Sequence, residues 1–136
     1  MKNKLFVCMS HTLNEDQKNG FIYQFGETEF IDMKDVNTEL KEKCSNIPAM
    51  ATLSELRKLA FDVVEIAREN GCTHFFLTGE PTLSFWANSE ANYGFYGDSM
   101  VCVQSTTERV SQDSVQPDGT VIKTQVFKHV QWREMF

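Results

Sequence analysis

With 136 residues, 41% of them hydrophobic and 24% charged, the chain is long enough for one buried core and too short for two full domains, so a single domain over residues 1–136 is expected. The formal net charge of −6 argues against DNA or general nucleic-acid binding, which calls for a basic face. The sequence contains no run of about 18 apolar residues to span a bilayer, and no membrane partner is expected.

The opening MKNKLFVCMSH has basic residues and a short apolar run, but Ser10, His11 and Asn14 interrupt it before a secretory segment is complete. KLFVCMS is therefore read as the first buried strand of a cytoplasmic protein. HTLNEDQKNG is polar, with room for a helical turn and a stop at Gly20. FIYQFGETEFIDM is rich in Phe, Ile and Tyr and is expected to be one strand, or two around Gly26. KDVNTELKEKCSNIPAM predicts a short amphipathic helix that stops before Pro48.

Thr52 or Ser54 can cap the next helix, in which Leu53, Leu56, Leu59, Ala60, Val63, Val64, Ile66 and Ala67 recur at spacings of three and four. Asn70 and Gly71 end it. THFFLTGE follows as a strand, PTLSFWANSEANYGF as a helix with Pro81 in its first turn, and DSMVCVQSTT as another strand. The remaining residues form two β-rich arms around Pro117-Asp118-Gly119, a long hairpin. Strands alternating with helices predict an α/β fold, a mostly parallel, doubly wound sheet with helices on both faces, and ligands outside the carboxyl ends of the strands. The α/β core is expected over about residues 1–104 and the C-terminal β-hairpin over about 105–136.

Cys8, Cys44, Cys72 and Cys102 stand far apart, without a C-x-x-C pair or a histidine at zinc-site spacing. They are expected to be reduced thiols, with Cys8 and Cys102 in core strands, and no metal is required. Charge is unevenly spread. Residues 1–100 carry 9 Lys/Arg against 15 Asp/Glu, whereas residues 101–136 carry 4 of each, so Arg109, Lys123, Lys128 and Arg133 can converge on a small anion.

Three expected strand ends are alike in kind: Ser10-His11-Thr12, then Thr78-Gly79-Glu80-Pro81-Thr82, then Ser105-Thr106-Thr107-Glu108-Arg109. Gly79 lets a backbone approach a ligand closely, and the helix start from Pro81 to Ser84 offers free N–H groups to an anion, which together point to a phosphate-containing ligand. Structural roles compete with these. Thr82 and Ser84 also suit helix capping, Thr106 and Thr107 also suit an edge strand, and His11 and His129 are each either catalytic or simply hydrogen-bonded. Alternation places Phe127, His129 and Gln131 on one strand face and Lys128, Val130 and Trp132 on the other. His74 is read as structural. Neither G-x-x-x-x-G-K-[ST] nor G-x-G-x-x-G is present, so ordinary P-loop or dinucleotide chemistry has no support.

LFVCMSHTLNEDQ, TGEPTLSFWA, VCVQSTTERV and DGTVIKTQVFKHVQWREMF, in this order, resemble the small stand-alone CRISPR-associated proteins with a CARF-like, Rossmann-like domain, and most of all the short ring nucleases. Gly79, Glu80 and Thr82 match a Gly-acid stretch followed by a hydroxyl residue, Thr106, Thr107 and Arg109 a Thr-Thr-x-Arg stretch, and His129 and Arg133 a closing His-x-x-x-Arg. Pro81 and Leu83 depart from that pattern, where smaller residues are expected.

The resemblance implies a homodimer that binds a cyclic oligoadenylate, commonly cyclic tetra-adenylate, across its two-fold axis and cuts it, switching off type III CRISPR signalling in antiviral defence. Such cleavage needs no cofactor and no metal, because each ribose 2'-hydroxyl already lies beside its own 3'-phosphate. On this expectation Arg109, His11, His129 and Thr107 are the catalytic group. Arg109 neutralises the phosphorane, Thr106 or Thr107 holds its oxygens, and His11 or His129 moves a proton, leaving a 2',3'-cyclic phosphate. Ser10, Thr12, Gly79, Glu80, Thr82, Ser84, Thr106, Lys128 and Arg133 are the expected ligand contacts. Three alternatives stand beside it: a sensor or sponge that binds without cutting, an accessory factor docking through an exposed aromatic tail of Phe127, Trp132 and Phe136, and an enzyme of ordinary nucleotides.

Overall fold

The computed structural model describes residues 2–93 and 99–136, and its first strand, β1 (Asn3–Cys8), already sets the architecture. Leu5 and Val7 alternate with Phe6 and Cys8, and all four are buried, so this strand must be covered on both faces. The elements that follow are α1 (Glu15–Phe25), β2 (Thr28–Asp32), α2 (Met33–Val36), α3 (Thr38–Ser45), α4 (Leu53–Glu69), β3 (His74–Leu77), α5 (Pro81–Asn92), β4 (Val101–Val115) and β5 (Val121–Glu134). They build one five-stranded sheet in the order β2-β1-β3-β4-β5. β1 runs parallel to β2 and β3, and β3 to β4, while β5 pairs antiparallel with β4.

On one face of the sheet, Phe6, Cys8, Phe75, Leu77 and Cys102 pack with Leu40 of α3, Ala60, Val63, Val64 and Ala67 of α4, and Leu83 and Ala87 of α5. On the other, Leu5, Val7, Phe76 and Val103 meet Phe21 of α1 and Trp132 of β5. The α/β class, the mostly parallel sheet, helices on both faces and the C-terminal hairpin are as the sequence predicts. So is α4, which starts from a capping box between Thr52 and Glu55. Asp98, at the head of the expected fourth strand segment, lies outside the described residues. The expected division near residue 104 falls inside β4, which runs unbroken from the core into the hairpin.

α1 departs from expectation. Residues 21–25 carry strong β-formers, yet they are helical, and Gly20 sits inside the helix rather than ending it. Asn14 and Gln17 form a reciprocal capping box at its start, and Gly26, at φ 97°, ends it in a conformation open chiefly to glycine. Phe21 and Phe25, four residues apart, pack against each other with ring centroids 4.6 Å apart and planes tilted by 36°, and Phe21 is fully buried. Burial of that aromatic pair outweighs the local β preference. Only the segment after Gly26 is a strand.

A β-bulge in the hairpin overturns the expected alternation. Thr106 pairs with Gln131 and Thr107 with His129, so Val130 is the extra residue and Trp132 joins the face that carries His129. Trp132 is only 2% exposed, which removes it from the expected exposed tail, whereas Phe127 (67%) and Phe136 (66%) remain outside. Its ring stands edge-on to Phe21 and Phe76. Its Nε1–H donates to the Gln17 carbonyl at 2.9 Å, and Gln24 closes a two-way bond with its backbone at 2.6 and 3.0 Å. β5 is thereby tied to α1. Trp132→Ala is expected to destabilise the fold by about 3–5 kcal/mol. Trp132→Phe, which leaves the Gln17 carbonyl without its donor, is expected to cost about 1–3 kcal/mol, both read from urea unfolding at constant slope.

Candidate functional site

The carboxyl ends of the parallel strands β1 and β3 open on one side of the sheet, and two adjoining cavities lie there; β4 runs on past them into the hairpin, so Ser105 to Arg109 are mid-strand residues and not the expected strand end. A cavity of about 320 Å³ is lined by Met9, His11, Asn14, Gln17, Phe76, Thr78, Gln104, Ser105, Thr107, Phe127 and His129. A second, of about 250 Å³, is lined by Cys8, Met9, Ser10, Lys41, Cys44, Ser45, Ile47, Thr78, Gly79 and Glu80. Met9 and Thr78 belong to both. A groove of about 800 Å³ between α4 and α5 has Arg57 over the Trp86 ring but lies away from the strand ends, and volume does not make it the site.

The first cavity holds the chemistry. Ser105 Oγ and His129 Nδ1 are hydrogen-bonded at 2.6 Å, and Gln17 Nε2 donates to the same oxygen at 3.4 Å. The other imidazole nitrogen of His129, Nε2, is buried without a partner and lies where a Cβ on Gly20 would come within 2.9 Å. The ring is thus gripped between α1 and the hairpin. His11 is exposed, and its Nδ1 lies 3.3 Å from the Thr12 carbonyl. Only a protonated Nδ1 bonds a carbonyl, so in the neutral ring Nε2 keeps a lone pair able to accept a proton. Thr107 reaches the cavity because it alternates with Ser105 on the same ribbon face. Arg109, one step further out on that face, lies over the Phe127 ring at 5.3 Å, placing a cation beside an aromatic residue that lines the cavity.

Other expected contacts are placed differently. Glu80 takes up the N-terminus of α5. Its carboxylate lies beside Thr82 and accepts from Leu83 N–H at 2.7 Å, its carbonyl accepts from Ser84 N–H, and Pro81 has no N–H. Those donors hold the Glu80 carboxyl below its ordinary pKa. The expected free N–H groups at this helix start are therefore occupied by the chain's own carboxylate. Ser84 Oγ turns inward to the Leu77 carbonyl, and Thr106 bridges to the backbone of Gln131. Thr12 lines a separate cavity of about 160 Å³ with Lys18, Asp32, Lys34 and Asp35.

The four tail cations do not converge as expected. Lys128 pairs with Glu108 and Arg133 with Gln104, both on the ribbon face opposite Thr107, while Lys123 pairs with Asp113 well out along the arm. Gln17, Asn14, Gln104 and Phe127 line the cavity without belonging to any expected strand end, and Ser105, which does belong to one, has a larger part here than the sequence implies. Gln17 and Asn14 had only a cap signature to mark them, and no local signal ties them to residues about ninety positions away.

Burial holds His129 below the ordinary imidazole pKa, opposed by Asp16, and holds His74 below it as well, opposed by Glu134. Both groups prefer to be neutral in the fold, so the unfolded chain binds more protons just below the ordinary value and stability falls as pH drops through it. The urea midpoint is expected to fall between about pH 7 and about pH 5.5, and His129→Gln to make that fall shallower, with an unchanged slope refuting the burial argument. Gly20→Ala, which in an exposed helix would stabilise by about 1 kcal/mol, is expected to give no gain in melting temperature, because the new methyl displaces His129.

No curated protein and no solved structure matches the chain. A family model does match, over residues 3–133, and on that match the chain belongs to the family described as Uncharacterized protein MJ1673 family.

Proposed function

We propose that the chain is a ring nuclease with a CARF-like, Rossmann-like fold, which as a homodimer binds a cyclic oligoadenylate, cyclic tetra-adenylate first among them, and cleaves it without metal. The observation that carries this reading is the cluster of Ser105, Thr107, His11 and His129 around one cavity beyond the carboxyl ends of the parallel strands β1 and β3, the side on which α/β sheets place their ligands. Hydroxyls, imidazoles and an adjacent cation are what 2'-hydroxyl attack on a neighbouring phosphodiester requires.

In this reading His11 Nε2 accepts the proton of the ribose 2'-hydroxyl, whose oxygen attacks its own 3'-phosphate; the P–O5' bond breaks, and the leaving 5'-oxygen takes a proton from water while His11 returns its own to solvent. His129 is a positioning residue. With its Nδ1–H donated to Ser105 Oγ, the Ser105 hydroxyl retains a hydrogen for a non-bridging phosphate oxygen, and Thr107 supplies a second donor. Arg109 moves from the Phe127 ring to the phosphorane as charge develops. The products are linear oligoadenylates ending in a 2',3'-cyclic phosphate. A second copy is supported by the hairpin beyond Thr107, where Val115, Val121, Ile122, Phe127 and Val130 are exposed on a two-stranded ribbon, a structure marginal in water when unpartnered.

Incubation of the purified protein with labelled cyclic tetra-adenylate in EDTA is expected to yield those linear fragments on chromatography. His11→Ala and Arg109→Ala are each expected to slow conversion roughly hundredfold with an unchanged melting temperature. Absence of conversion overturns the nuclease reading, and retention of intact ligand by the same sample reassigns the protein as a sensor or sponge.

A further inference from the structure

The second cavity contains chemistry that the proposed nuclease does not use. Cys8 closes β1 and is 3% exposed, while Cys44, in the last turn of α3, is only half-buried, and both line the cavity of about 250 Å³. Each thiol is the largest influence on the other's pKa, which marks them as neighbours in that cavity. Lys41, three residues before Cys44 on α3, lines the same cavity, and its Nζ donates to Ser45 Oγ at 2.9 Å. All four cysteines are free thiols, so the two that line this cavity are not bonded to each other.

We propose that Cys44 is a nucleophilic thiol that reacts with peroxides and closes a reversible disulfide to Cys8. Two observations support the assignment of roles. Cys44 is the more accessible of the two and shares its cavity with Lys41, and neighbouring Cys8 together with that cation holds the Cys44 thiol below its ordinary pKa against the opposing effect of burial. Cys44 in turn, together with burial, pushes Cys8 far upward, so Cys8 is the partner that follows rather than leads. Cys72 and Cys102 serve as internal contrasts: burial pushes them up to about 11 and about 12.

The step balances with peroxide as the oxidant. The Cys44 thiolate attacks one peroxide oxygen, the O–O bond breaks, and Cys44 becomes a sulfenic acid while the departing hydroxide takes up a proton as water. The Cys8 sulfur then gives up its proton and attacks the Cys44 sulfur, the S–S bond forms, the S–O bond breaks, and the leaving hydroxide takes that proton to become a second water. Both thiols are oxidised and one peroxide is reduced. The bond joins the end of β1 to α3 across a cavity that shares Met9 and Thr78 with the nuclease site, so oxidation alters the wall common to both.

Limited hydrogen peroxide treatment of the full chain, alkylation of remaining thiols and peptide mass spectrometry test this. A Cys8–Cys44 linked peptide that dithiothreitol removes is expected. Cys44→Ser should abolish it, and Cys8→Ser should leave a dimedone-reactive Cys44. In the untreated native protein, which needs no variant to fold, Cys44 should react with iodoacetamide roughly tenfold or more faster than Cys72 and Cys102. Equal labelling of the cysteines, or peroxide oxidation without the linked peptide, overturns the proposal. Neither readout depends on cyclic oligoadenylate, so its failure is separate from failure of the nuclease reading.

Discussion

The wedge of Trp132 between α1 and the sheet is the contact on which the strand-end cavity depends. A two-stranded hairpin has no core of its own, and this one is held to the domain where the indole meets Phe21 and Phe76 and donates to the Gln17 carbonyl. The same indole lies against the His129 ring, at a centroid distance of 5.5 Å. Gln17 serves both sides of this junction, since its backbone accepts from Trp132 while its side chain reaches Ser105. Seating of the hairpin and placement of the Ser105–His129 pair are therefore one event.

The bulge at Val130 makes that event possible. Without it, Trp132 and His129 would fall on opposite faces of β5, and the chain could bury the indole or present the imidazole to the cavity, but not both. Gly20 contributes from the other side. A side chain there would intrude on His129 Nε2, so a glycine that costs helix stability is retained where α1 passes under the ring. Local preference is given up to position a functional group, the usual sign of a site.

The helix start beside the site is used differently from that of many α/β sheets. The N-terminus of α5 would be the default phosphate site, yet Glu80 accounts for its donors. A phosphodiester placed in the strand-end cavity would then be met by side-chain hydroxyls, imidazoles and Arg109 rather than by helix amides. On the opposite side of Met9 and Thr78, the Cys8–Cys44 pair occupies a lobe whose own hydroxyls and cation are Ser10, Ser45 and the Lys41 amine. One edge of the sheet thus carries two chemically distinct compartments.

Much of this was legible locally. The period of α4, its Thr52 cap, the buried strands around Phe6 and Phe75 and the turn at Pro117-Asp118-Gly119 all follow from interactions between residues a few positions apart. So did the choice of edge, because parallel strands place Ser10-His11, Thr78 and Ser105 together. The helical state of Phe21 to Phe25 was not legible, since their β preference yields only to burial against Trp132 and His74. Nor was the parity of β5, because a bulge depends on what the strand must bury and leaves no periodic trace. By itself the sequence determined which segments form strands and helices where cap, turn and period agree, and which strand ends share an edge. Tertiary structure alone decided which of those end residues meet: the Ser105–His129 bond, the occupied start of α5 and the Cys8–Cys44 pairing in one cavity join positions far apart in the chain or turn on packing that no local pattern encodes.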